Sequence, residues 1–413
     1  MNNNLMWKRQ VLPNGLRVLM LPKPFGLTTQ LSLAIEYGSN DDSEGSSGTA
    51  HFLEHMIVGG SQSRIELHNE IEKLGGCSYF ETSEESTFTS VDVFPEKIAE
   101  ASKVLAGLLF DSVFEKDKLE LERKVILNEI AENSDDPQEK TGETLLKCLF
   151  RHHPVKNPVL GLRKTVNQVS LDDVEKAHQN HYAPCNMILV LTGRFSDGEA
   201  EHVLQDYRRR ENGNAVSRVD RRIEESKPRK EVVMERSGLT QAYFSFGLRA
   251  CSAKEIDAPT LDLISAILGG GESSRLFKEL REKRALTYDF TSINASGLDY
   301  GFFSVNCAVK TKSLKQTQII IQDELQKLKS QPIKDNELKK SKNLILGDIF
   351  RSIDNPQQLP EILADMEIYF RNENALVNYK DRICSLSEQD ISEVANKYFQ
   401  DENYATAILK PKK

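Results

Sequence analysis

Two stretches of the chain, ERKVILNEIAENSDDPQ (122–138) and SKNLILGDIFRSIDNPQ (341–357), resemble each other and begin 219 residues apart. The similarity continues outward on both sides at nearly the same offset. The further matching pairs are LTTQLSLAIEY (27–37) with LTQAYFSFGL (239–248), IVGGSQSR (57–64) with LGGGESSR (268–275), and HYAPCNMILVL (181–191) with KYFQDENYATAIL (397–409). Four matches in one order predict two copies of a domain of about 200 residues.

The local patterns of the first copy mix strands and helices without regular βαβ alternation. Apolar, β-prone runs predict strands at residues 15–21, 28–37, 87–94 and 187–192. Helical patterns cover residues 48–58, 65–74, 96–110, 116–133 and 171–182. Adjacent strands with clustered helices predict the α+β class, with two tandem homologous domains, each a mainly antiparallel sheet with helices packed on one face.

The predicted domains are residues 1–207 and 230–413, and residues 208–229 are predicted to link them. The linking segment is polar, contains Gly and Pro, and lacks apolar periodicity. Its arginines alternate with Asp220, Glu224 and Glu225. This mixture favours a solvated linker over a phosphate-binding patch.

The composition limits the classes of partner and the compartment. The 413 residues are 39% hydrophobic and 28% charged, with a net charge of −8, which argues against nucleic acid or an anionic membrane as the main partner. No stretch reaches the ~18 apolar residues that cross a bilayer, and the N-terminus MNNNLMWKRQVLPNG has no signal-peptide core. Six scattered cysteines without a CxxC pair predict reduced thiols and a cytoplasmic location.

The sharpest chemical feature is the sequence His51-Phe52-Leu53-Glu54-His55. Residues four apart lie on one face of an α-helix, ~6 Å apart along the axis, so two imidazoles at this spacing can hold one Zn²⁺. Glu54 is placed beside a metal-bound water rather than as a ligand, in the H-x-x-E-H arrangement. Two surface histidines on a helix are the structural alternative.

Comparison of the two copies weakens that alternative. At the offset of 211, His51 corresponds to Asp262, Glu54 to Ser265 and His55 to Ala266. A purely structural role gives no reason for three metal-competent residues to occur together in one copy only.

A catalytic zinc site needs a third protein ligand and an open fourth position. The candidates lie in the helical pattern 116–133, where Glu122 and Glu129 are two turns apart and share a face. Glu132, one turn beyond Glu129, is the rival ligand. A solvated acidic helix face is the alternative for any one of these residues.

Together these motifs resemble the pitrilysin/insulinase-type inverted-zinc metallopeptidases. HFLEHM is followed, 74 residues after His55, by Glu129 in an ERxVILxE context, and the length and two-copy layout are most similar to short bacterial members resembling mitochondrial processing peptidase. The resemblance implies His51, His55 and Glu129 as ligands of one Zn²⁺ per chain. It also implies Glu54 as the catalytic general base and Glu122 as a second catalytic glutamate that supports the site.

The second copy carries GGGESSRLFKELREKRALTY (269–288), which resembles a family segment ending in an Arg–Tyr pair, here Arg281 and Tyr288. A guanidinium and a phenol can donate to a substrate carbonyl and its developing oxyanion. Without the resemblance, an ordinary amphipathic helix is the preferred interpretation of this segment.

The resemblance implies a zinc-dependent endopeptidase that hydrolyses unfolded peptides or peptide precursors inside a closed chamber. The implied partner is a second copy, or a similar subunit in a heterodimer. The alternative is a non-catalytic scaffold subunit of a larger assembly, for which an eroded H-x-x-E-H set is expected, whereas the set here is complete. A metallohydrolase with His and Asp ligands would need further clusters that the sequence lacks.

Overall fold

The structure, a computed structural model, describes residues 7–111, 113–211, 213, 227–288 and 290–412. Contacts divide the chain into two compact units, each discontinuous in sequence. The first unit comprises Met1–Ala131, Asn157–Asp220 and Arg351–Val377, and the second comprises Glu132–Lys156, Arg221–Phe350 and Asn378–Lys413.

The described residues form two sheets and a larger set of helices. The strands are β1 Lys8–Val11, β2 Arg17–Pro22, β3 Thr29–Ile35, β4 Cys77–Thr82, β5 Thr87–Val93, β6 Met187–Gly193, β7 Glu231–Arg236, β8 Ala242–Arg249, β9 Phe290–Ser296, β10 Gly301–Val309 and β11 Tyr404–Pro411. The helices are α1 Thr49–Gly59, α2 Gln62–Lys73, α3 Ile98–Phe110, α4 Lys116–Asp135, α5 Pro137–Leu149, α6 Arg163–Val166, α7 Leu171–His181, α8 Asp197–Arg208, α9 Ala258–Gly269, α10 Leu314–Ser330, α11 Asp335–Asp354, α12 Leu359–Phe370, α13 Ala375–Ser385 and α14 Glu388–Tyr398. A π-helical segment covers Phe277–Glu282.

The two sheets share one topology. The first has the strand order β1-β2-β6-β3-β5-β4, and the second has the order β7-β11-β8-β10-β9. One pair in each sheet is parallel, β2 with β6 and β7 with β11, and the other neighbours are antiparallel. The second order therefore repeats the last five positions of the first. The predicted duplication and the mainly antiparallel α+β class are confirmed, and β1 is an addition to the first sheet.

The sheet of the first unit is covered on both faces, so the prediction of helices on one face only is wrong. Leu31, Leu33 and Ile35 of β3 share a core with Phe52 and Leu53 of α1. Every residue of β3 is buried, although successive side chains point to opposite faces. Helix α12 packs on β3 and β6. The first sheet is thus covered by helices of its own copy and also by α12, which lies in the second half of the sequence.

The second unit repeats this arrangement. Phe244, Phe246 and Leu248 of β8 share a core with Leu261 and Ile264 of α9. Helix α5, which comes from the first half of the sequence, packs on β8 and β11. Each sheet is therefore covered by one helix from the other copy.

Because α5 packs in the second unit and α12 in the first, the observed domain boundaries differ from the predicted ones. The predicted domains 1–207 and 230–413 are continuous, but contacts place 132–156 in the second unit and 351–377 in the first. Each exchanged segment contains a proline at a matching place. Pro137 and Pro356 stand just beyond the ends of the long helices α4 and α11, where proline cannot continue the helix. Most of the predicted linker 208–229 lies outside the described residues.

Two further findings concern the cysteines and the helices. All six cysteines are free thiols. Within the described part of the chain, no helix combines the length and the apolar character needed to cross a bilayer.

Candidate metal centre

Helix α1 places the sequence His51–His55 on a rigid element. Phe52, Leu53 and Met56 are completely buried in the first core, and burying each such side chain contributes ~1.5–3 kcal/mol relative to exposure. His51 is 7% exposed at the border of this core. The packed face therefore fixes the rotation of α1, and with it the direction of both imidazoles.

The start of α1 is held by a residue outside the helix. Gly48 precedes the first turn with a φ of 97° and has no side chain that could cap the helix. Asp42 accepts hydrogen bonds from the backbone N–H groups of Gly48 (2.7 Å), Thr49 (3.1 Å) and Ala50 (3.0 Å). The sequence does not single out Asp42, because it lies six residues before the position where a capping residue is sought.

Three potential ligands converge beside α1. Nε2 of His51 lies 3.7 Å from Oε2 of Glu129, and Nε2 of His55 lies 3.4 Å from the same oxygen. Within the described residues, this is the one group of three His, Cys, Asp or Glu whose ligand atoms all lie within 4.8 Å of one another. Tetrahedral zinc with bonds of 2.0–2.1 Å places its ligand atoms ~3.3 Å apart. The two imidazoles and one carboxylate therefore fit a zinc ion in donor type, and the two distances to Glu129 are close to this spacing.

Glu132 lies outside this group. It is on the same helix, one turn after Glu129, but contacts assign it to the second unit. The structure thus brings Glu129 to the histidines and favours it over its rival.

Glu122 contacts the ring nitrogen of His55 that faces away from Glu129. Its Oε2 lies 3.2 Å from Nδ1 of His55, which leaves Nε2 of that ring directed at Glu129. A carboxylate that accepts from one ring nitrogen fixes the tautomer in which the other nitrogen can bind a metal. Gly59 makes room for Glu122, because a Cβ at this position would overlap its carboxylate. Nδ1 of His51 is buried without a hydrogen-bond partner among the described residues.

The charges of the metal-free site favour one proton on His55. Burial alone would lower the pKa of His55, but the carboxylates of Glu122 and Glu129 outweigh it and raise that pKa to about 10. Burial, followed by the neighbouring charge of His55, lowers the pKa of His51. The hydrogen bond to His55 lowers the pKa of Glu129. A metal that binds here at neutral pH must displace the proton of His55.

Glu54 lies beside the three converging residues and is not one of them. Its Oε2 accepts a hydrogen bond from Oγ1 of Thr82 at 3.0 Å. Burial raises the pKa of Glu54 above its usual value. The raised pKa makes this carboxylate a stronger proton acceptor than an ordinary glutamate.

In the second copy, the side chains of α9 that correspond to the metal residues of α1 form hydrogen bonds within the fold. Asp262 accepts from Nδ2 of Asn294 (2.8 Å) and from the hydroxyl of Tyr379 (2.7 Å). Ser265 donates to the carbonyl of Ser292 at 2.7 Å. These bonds tie α9 to β9 and α13, which is a structural role.

Arg281 and Tyr288 lie together in the second unit. The guanidinium of Arg281 sits 4.3 Å from the ring centroid of Tyr288 and 4.9 Å from that of Phe277. Tyr288 is 82% exposed. The predicted pair is thus stacked, with its phenol open to solvent.

The fold and the site define a duplicated α+β protein with a His-His-Glu group in its first unit. The family model described as Insulinase (Peptidase family M16) matches residues 17–163, and the model described as Peptidase M16 inactive domain matches residues 168–345. The chain belongs to the insulinase family of peptidases, family M16. The first matched range contains the three predicted metal ligands and the two predicted catalytic glutamates, and the second contains Arg281 and Tyr288.

Relatives of similar length extend the match over nearly the whole chain. The uncharacterized zinc protease YmxG of Bacillus subtilis is 25% identical over 411 residues, covering 98% of this chain and 98% of the relative. A probable mitochondrial-processing peptidase subunit beta of Arabidopsis thaliana is 26% identical over 412 residues, covering 97% of this chain and 77% of the relative. A solved protease structure from Helicobacter pylori shares the fold with a TM-score of 0.90 at 24% identity, covering 98% of this chain and 99% of that chain.

The contact between Glu122 and His55 gives a first prediction. Glu122→Gln is expected to weaken zinc binding ~10–100-fold, because an amide cannot hold the ring nitrogen as a carboxylate does. Competition with a chromophoric chelator measures this affinity. Glu120→Gln, an exposed change on the same helix, is the control. Equal zinc affinity in wild type and Glu122→Gln would contradict the supporting role of Glu122.

Proposed function

We propose that this protein is a zinc-dependent endopeptidase that hydrolyses unfolded peptides or peptide precursors. The proposal rests on one observation. His51, His55 and Glu129 converge, and the carboxylate of Glu54, on the same helix as the histidines, is not part of this group. The three converging residues hold one zinc ion per chain and leave a fourth position open for water and substrate.

Each residue of the site has a separate task. A bound zinc ion supplies a Lewis acid for the scissile carbonyl and lowers the pKa of its water. Glu54 is the residue that would accept a proton from the attacking water and donate it to the leaving amine. Glu122 keeps His55 in the tautomer that presents Nε2.

Strand β4 is the proposed place of the substrate. It forms the edge of the first sheet, so its outer backbone groups can pair with an extended peptide. An extended peptide is available only from an unfolded chain. We therefore expect unfolded peptides to be cleaved and compact proteins to be spared, in the closed chamber that the family resemblance implies. The free cysteines support a reducing compartment, the cytoplasm.

A peptide assay tests the proposal. Purified protein is expected to cleave a quenched, unstructured peptide, to lose this activity after chelation, and to regain it with stoichiometric zinc. A tightly folded protein of similar composition serves as the control substrate and should remain intact. A chain that binds zinc but cleaves none of a broad peptide library would favour the non-catalytic scaffold alternative.

We also propose that two copies pair to complete the site. Arg281 and Tyr288 belong to the second unit, whereas the metal residues belong to the first. In a two-fold dimer, the commonest oligomer, the pair of one copy would contact substrate at the zinc of the other. Such an arrangement explains why one chain carries both features. A heterodimer with a similar subunit is the alternative.

Mixed dimers test this pairing. Glu54→Gln and the double variant Arg281→Ala/Tyr288→Phe are each expected to be nearly inactive alone. After subunit exchange, a mixed dimer has one site with both lesions and one with neither, so about a quarter of wild-type activity should return under random pairing. No recovery despite demonstrated exchange would exclude action between copies.

A further inference from the structure

The last residue of strand β4 contacts the proposed general base. Oγ1 of Thr82 lies 3.0 Å from Oε2 of Glu54. An ionised carboxylate only accepts hydrogen bonds, so Thr82 is the donor. Thr82 is 7% exposed, which limits the competition of water for this bond.

The backbone of Thr82 is fixed by the β4–β5 hairpin. Thr82 pairs with Thr87 at the end of the ladder, and the hydroxyl of Thr87 donates to the carbonyl of Tyr37 at 3.0 Å. The following turn is closed by the N–H of Ser83, which donates to the carbonyl of Ser86 at 2.8 Å. The N–H of Ser39 anchors this turn to the loop before α1, by a bond of 3.0 Å to the carbonyl of Ser83. The hydroxyl of Thr82 is therefore presented from a rigid support.

A long side chain such as Glu54 needs this support to act as a base. Its backbone is fixed by α1, but its carboxylate is reached through three rotatable bonds. The bond from Thr82 occupies Oε2 and leaves Oε1 to receive a proton. We propose that Thr82 is a positioning residue that holds the carboxylate of Glu54 in its catalytic orientation.

The position of Thr82 also links the base to the substrate. Thr82 ends β4, the edge strand that we propose as the place of the extended peptide. One strand thus aligns the peptide through its outer edge and the base through its last side chain. This inference rests on the proposed peptidase function.

Three variants test it. Thr82→Val keeps the shape and removes the hydroxyl, and it is expected to lower kcat ~10–100-fold with KM little changed. Thr82→Ser retains the donor and should restore most of the loss. Thr89→Val is the matched control on β5, because the Thr89 hydroxyl is buried without a hydrogen-bond partner in the described part of the chain. It should keep wild-type kcat.

Zinc affinity and thermal unfolding are measured on the same samples. Thr82→Val should bind zinc as wild type does, because Thr82 contacts Glu54 and not a ligand. Wild-type kcat in Thr82→Val would overturn the inference, and so would weakened zinc binding or an equal loss in Thr82→Ser. A wild-type protein that binds zinc but cleaves no peptide would instead overturn the proposed function and the inference with it.

Discussion

Replacing Glu54 with glutamine is expected to abolish peptide hydrolysis while one zinc ion stays bound per chain. Glutamine keeps the size of the side chain and can still accept from Thr82, but it cannot accept the proton of the attacking water. Loss of a general base lowers the rate ~10²–10⁴-fold. Turnover of the quenched peptide and metal content of the same sample measure the two effects.

A matched control separates this effect from a general loss of charge. Glu66→Gln on the neighbouring helix α2 also replaces a glutamate, but its side chain is exposed and bonded to Gln62. It should retain full activity. Wild-type turnover in Glu54→Gln would show that Glu54 is not the base, whereas loss of zinc would assign it to the ligand set.

Replacing Glu129 with alanine is expected to remove zinc and activity together. Oε2 of Glu129 is the atom that approaches Nε2 of both histidines. Removal of a direct ligand should weaken zinc binding more than the ~100-fold upper range for supporting residues. Chelator competition measures the affinity, and peptide turnover should fall in parallel. His51→Ala should behave in the same way.

Glu132→Ala is the matched control for the third ligand. It removes the same side chain one helical turn away, outside the converging group. It should keep zinc and activity. If Glu132→Ala emptied the site while Glu129→Ala did not, the third ligand would be misassigned.

The local part of the site could be predicted from the sequence. The spacing of four between His51 and His55 fixes their common helix face, whatever the tertiary fold. The different residues at Asp262, Ser265 and Ala266 mark the first copy as the candidate for metal binding. The third ligand is 74 residues further along the chain, so spacing alone could not choose between Glu129 and Glu132. The structure brings Glu129, and not Glu132, to the two histidines and so favours Glu129.

Contacts between residues far apart in the chain could not be predicted from local sequence patterns. Strands and helices follow from periodicity, but periodicity does not state which sheet a helix covers. The exchange of α5 and α12 between the units therefore becomes visible only in the contacts. Asp42 accepts hydrogen bonds from backbone N–H groups six to eight residues further along the chain, and Thr82 donates to Glu54, 28 residues before it. Such side chains are ordinary polar residues until the fold brings their partners to them.

Anomalous X-ray scattering from zinc-loaded crystals would show directly which residues bind the metal. Data collected on both sides of the zinc absorption edge locate the ion without any assumption about its ligands. We expect one peak per chain, ~2.0–2.2 Å from Nε2 of His51, Nε2 of His55 and a carboxylate oxygen of Glu129, with Glu54 outside bonding distance. A peak bound by other residues, or no peak at this group in zinc-saturated protein, would contradict this expectation.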